Sequence, residues 1–137
     1  MKGIQMHFSL ERFLESMQEK MKIFPDEYAG YFVQPVAAWI SDDYVRVVFE
    51  SQRSDERRIW GFKSDRRIHS SSQRNLTEDE VADWIYFAHI AGDYPALFNK
   101  SDGTHIDWRN TPGEGEPKTL AEVAEIPGSV RISQKEL

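Results

Sequence analysis

Leu10, Phe13, Leu14, Met17 and Met21 recur at helical spacing, while Glu11, Glu15, Glu19 and Lys22 fall elsewhere. Ser9 stands where a helix cap is needed, and Phe8 before it can staple onto Phe13. Pro25 ends the helix near Phe24. A Met and Leu stripe of this kind reads as a core face.

The period changes to two between residues 31 and 72. Phe32-Val33 and the run 36–40 lead to a turn at Ser41-Asp42-Asp43, after which Val45, Val47 and Phe49 share one face. Residues 57–63 and 66–72 are expected to form a further hairpin around Ser64-Asp65. Short turns between successive strands predict an antiparallel meander.

Thr77-Glu78-Asp79-Glu80 is the clearest local signal in the chain. Thr77 caps, Glu80 completes a capping box, and three acids sit at the positive end of the helix dipole. The predicted helix spans 78–91, with Gly92 placed to stop it. Its apolar residues cover most of the circumference, so it is expected to be buried on more than one side, by the sheet and by a further element or a partner.

Downstream, Asp102-Gly103 carries a hairpin signal between 97–101 and 104–108. The 110–117 segment is polar, Thr119 is placed to cap a short helix through Glu125, and 129–133 is expected at a sheet edge. The fold class is α+β: an antiparallel meander sheet of about five strands, with an N-terminal helix and a central buried helix packed on it. The 137 residues show no repeat and no composition break, which predicts one domain.

Charge sharpens this picture. Residues 53–74 carry seven Lys/Arg against three acids, a net of +4, whereas the stretch before it is net −3 and the stretch after it net −7. A basic hairpin in an acidic chain predicts two electrostatic poles, which concern partners more than chemistry. On the expected hairpin, Phe62 faces Arg67, Trp60 faces His69 and Arg58 faces Ser71, with Arg66 and Lys63 on the other side. Exposed, the Arg58, Trp60, Phe62, Arg67 and His69 face suits single-stranded nucleic acid, through stacking and phosphate pairing, or a protein hot spot. Apolar residues on both faces favour the alternative, in which Trp60 and Phe62 point into a core. The net charge of −6 also opposes phosphate binding.

A second candidate is acidic. Asp79, Glu80 and Asp83, with Glu78, Asp93, Asp102, Asp107, Glu114 and Glu116, are placed to build a negative patch that recruits a cationic partner. Capping alone accounts for Glu78 to Glu80.

Signatures of local catalytic chemistry are missing. There is no cysteine, which excludes disulfides and thiolate zinc sites and fits a reducing compartment. His89 with Asp93, and His105 with Asp107, offer two ligands each without a third at convincing spacing, so neither metal nor cofactor is expected. No Gly-x-Ser-x-Gly is present, and the loop 113–117 is acidic where a phosphate cradle needs the opposite. The longest apolar runs, 36–40 and 84–88, are five residues, against roughly 20 for a bilayer span. The N-terminus lacks the apolar segment of a signal peptide. The expectation is a cytoplasmic, non-enzymatic protein.

A small, acidic, cysteine-free α+β domain rich in Trp is similar in profile to bacterial immunity proteins, which neutralise a cognate toxin. The likeness is one of class, carried by no motif. It implies a partner with a cationic, nuclease-like surface and carries over no residue; the charge and aromatic patterns are what name Asp79, Glu80, Asp83, Arg58, Trp60, Arg66, Arg67 and His69 as candidate contacts. The alternative is a nucleic-acid or anionic-ligand binder using the basic 53–74 segment. The apolar 78–91 helix also raises a homodimer.

Overall fold

The computed structural model describes residues 8–21, 31–41, 44–53, 56–65, 76–87, 105–109 and 115–132. Its elements are, in order, α1 (Leu10–Met21), β1 (Tyr31–Ser41), β2 (Tyr44–Arg53), β3 (Glu56–Asp65), α2 (Glu78–Ile85), β4 (Asp107–Trp108), α3 (Leu120–Ala124) and β5 (Val130–Arg131). The sheet has five strands in the order β4-β3-β2-β1-β5, and the fold is α+β as the sequence predicts.

Helix α1 begins as expected. Ser9 Oγ accepts from the Arg12 N–H at 3.2 Å, and the Phe8 and Phe13 rings lie 5.9 Å apart. Phe13, Leu14, Met17 and Met21 are its buried face.

Strands β1, β2 and β3 form the antiparallel meander. Ser41 pairs with Tyr44 and Arg53 with Glu56, so each connection is two residues. β1 is one strand rather than two short ones, because the chain passes Pro35 with a register shift between Pro35 and Ala37. A proline has no N–H to give the ladder, and an irregularity is where a strand tolerates one. The outer edge is used as well: Ile132 N–H donates to the Val36 carbonyl at 2.9 Å, beside β5.

The edge strand on the other side corrects the sequence expectation. β4 runs parallel to β3, pairing Trp60 with Asp107 and Gly61 with Trp108. The sheet is therefore mixed. The expected partner strand 66–72 lies outside the described residues, and at Trp60 and Gly61 the edge it would use is occupied by β4. Residues 97–104 of the predicted downstream hairpin also lie outside them.

Alternation along β2 and β3 sends apolar side chains to both faces. Val45, Val47, Phe49, Trp60 and Phe62, with Ala38, pack under α1 and α2. Phe49 and Trp60 meet Phe62 edge-on, with ring centroids 5.7 and 6.4 Å away. Val36, Trp39, Val48 and Ile59 point the other way, under Ile106, Trp108, Leu120, Val123 and Ile126. Each fully buried side chain of this size stabilises the fold by about 1.5–3 kcal/mol.

Gly61 makes the second cover possible. A Cβ there would meet the Trp108 ring at 2.6–2.7 Å, so the indole lies directly on the glycine backbone. Trp108 is held in place by its Nε1–H, which donates to the Pro117 carbonyl at 2.9 Å, and by an edge contact with Trp39 at 5.8 Å. Arg109 N–H donates to the Gly61 carbonyl at 2.9 Å. Gly61→Ala should destabilise by about 1–3 kcal/mol in urea unfolding, as overpacking does. The same change in a Trp108→Leu background should cost markedly less, and equal costs would contradict the contact.

Candidate functional site

Helix α2 starts with the predicted capping box. Thr77 Oγ1 accepts from the Glu80 N–H at 3.2 Å, and Glu80 Oε1 accepts from the Thr77 N–H at 2.9 Å. Glu78 is committed as well: its Oε2 accepts from the Ser9 N–H at 2.6 Å, tying the start of α2 to the start of α1. At the other end of α1, Lys20 pairs with Asp83 at 2.5 Å. These two contacts make the helices run in the same sense, which places their positive ends side by side. Carboxylates in both first turns, Glu11 and Glu78 to Glu80, offset that juxtaposition.

The three acidic candidates thus have separate surroundings. Glu80 is half-buried in the cap, Asp79 is exposed, and the Asp83 side chain is 51% exposed beside Lys20. An ion pair this exposed contributes about 0–1 kcal/mol and leaves Asp83 accessible. Across α1 and α2 with their caps, residues 8–21 and 76–87, seven carboxylates face two cations, Arg12 and Lys20. Over residues 105–109 and 115–132, on the other face of the sheet, four acids meet three bases.

Two of the four acids in that second layer are held in ion pairs, while Glu122 and Glu125 are exposed. Asp107 pairs with Arg109 at 2.7 Å. Glu116, read from sequence as part of an acidic loop, forms a buried pair with Arg46: Arg46 Nε–H donates to its two oxygens at 2.9 and 3.1 Å, and Nη1–H to the Ser41 carbonyl at 3.0 Å. Nothing in the sequence spacing, 70 residues apart, joins these two. Asp93, Asp102 and Glu114 lie outside the described residues.

The basic candidates separate. Trp60 is 0% exposed and sits in the core beneath the helices, with Phe62 beside it. Its ring is not available to stack on a ligand. Arg58 is half-buried on the same strand face. Arg66, Arg67 and His69 lie outside the described residues.

The structure also exposes what periodicity had placed inside. Val81, Ala82 and Ile85 are buried, yet Trp84 is 59% and Phe87 70% exposed. The all-round burial expected for this helix does not hold over 78–87, and residues 88–92 lie outside the described set. Sheet and α1 together cover the side of α2 that carries Val81, Ala82 and Ile85, and Trp84 falls on the side of Asp79 and Asp83.

Among the described residues no three His, Asp or Glu gather as a metal site would require. No helix is long and apolar enough to cross a membrane. Comparison with known proteins finds no matching family, no similar curated protein and no similar solved structure.

Arg46→Met, which leaves the largely covered Glu116 carboxylate without its guanidinium, should cost up to about 3–5 kcal/mol in urea unfolding. Arg46→Met with Glu116→Leu should recover most of that loss. Thr77→Ala should cost about 1 kcal/mol by removing the cap.

Proposed function

We propose that this protein is a small acidic binding module that occupies a cationic protein surface, in the manner of an immunity or inhibitor protein neutralising a nuclease-like toxin in the cytoplasm. The observation that supports this reading is the concentration of negative charge on the helical layer, where seven carboxylates are set against two cations. A net excess of one charge on a face speeds encounter with an oppositely charged partner and penalises wrong ones.

The nucleic-acid alternative has less support, because its aromatic platform is absent from the surface. With Trp60 and Phe62 buried, only cations would remain to hold a strand, in a chain of net charge −6.

The test is affinity capture from the native cell with stepwise salt elution and mass spectrometry. One basic protein in near-equal amount is expected, released at moderate salt and lost on charge reversal at Asp79, Glu80 and Asp83. Recovery of nucleic acid, abolished by Arg66→Glu with Arg67→Glu, would overturn the reading.

A further inference from the structure

The outward stripe of α2 consists of Asp79, Glu80, Asp83 and Trp84, and Phe87, just past the helix's C-cap Tyr86, continues it at spacings of three and four. Three carboxylates occupy its N-terminal end and two exposed aromatic rings the other. Single exposed apolar residues need no explanation. Here Trp84 and Phe87 are three residues apart, in a segment whose other apolar side chains, Val81, Ala82, Ile85 and Tyr86, are buried.

We infer that this stripe is the docking epitope, with Trp84 and Phe87 as aromatic anchors and Asp79 and Asp83 as a charged rim, and that its occupant is a protein surface with an apolar depression flanked by Lys or Arg. The inference rests on the binding-module reading and adds where the contact is made. Charge complementarity selects the occupant. No Lys or Arg occurs between residues 76 and 87, so the stripe of a second copy offers nothing to pair with these carboxylates. A cationic surface pairs with them and covers the rings. Trp is among the residues that dominate binding energy at protein interfaces, which fits it for the role of anchor.

Trp84 reports on its own contact. Trp39 and Trp60 are buried and Trp108 is half-buried, which leaves Trp84 as the exposed indole. The probe is a synthetic amphipathic helical peptide of Leu and Arg, titrated into the full chain while tryptophan emission is followed. A saturable blue shift is expected. Affinity should fall at least tenfold for a Leu/Glu peptide, for an Arg/Ser peptide, and for Asp79→Lys with Asp83→Lys. With a fluorophore on the peptide and anisotropy as readout, Trp84→Ser with Phe87→Ser should lose binding while the urea midpoint stays unchanged.

Each contrary outcome has a meaning. Equal binding of the Leu/Glu peptide, or no binding of the Leu/Arg peptide, overturns the inference. Undiminished binding in the serine variant removes the epitope yet leaves the cationic-partner reading intact. A dimer in sedimentation equilibrium that the serine variant dissolves makes a second copy the occupant. A lowered urea midpoint in that variant shows that the rings pack on the protein's own chain, and equally overturns it.

Discussion

Strands β2 and β3 send apolar side chains alternately to both faces, so each face of the sheet needs its own cover. One cover is the α1 and α2 pair. The other is a thin layer of short elements, held by the indole of Trp108 lying on Gly61 and by the buried Arg46–Glu116 pair. Without the glycine the indole cannot reach the sheet. Without the ion pair the segment before α3 loses its charged anchor to β2. The central strands are therefore buried on both sides, and function has to be sought on the outside of the two covers.

These covers differ in electrical character. The thin layer pairs two of its acids, Asp107 with Arg109 and Glu116 with Arg46. On the helical layer, Glu78 and Glu80 hydrogen-bond backbone N–H groups, which orients them at the helix start. Lys20 offsets part of Asp83 and leaves Asp79 untouched. Helix packing thus has an electrostatic by-product. Two aligned helix starts draw in carboxylates to stabilise their dipoles, and the same carboxylates give the outer surface its sign.

Much of this fold was legible in the sequence, because its signals are local. The Phe8–Ser9 start, the capping box at Thr77, the Thr119 cap and the three-strand meander all depend on residues a few positions apart. The parallel strand at Asp107–Trp108 was not legible, since its partner Trp60–Gly61 lies far back in the chain and no local signal joins the two. The Arg46–Glu116 pair was hidden for the same reason. For the candidate site, alternation correctly favoured a covered Trp60, while helical periodicity misplaced Trp84 and Phe87. Composition around a helix counts apolar residues but does not reveal how many sides the rest of the chain will cover.

The most direct measurement puts a photo-crosslinking benzoylphenylalanine at Trp84 in one variant and at Arg58 in another, irradiated in the native cell. An interface on the helical layer predicts one discrete adduct with a basic protein from position 84 and little from position 58. An adduct from position 58 alone, to protein or to nucleic acid, would contradict it and move the contact to the basic strand.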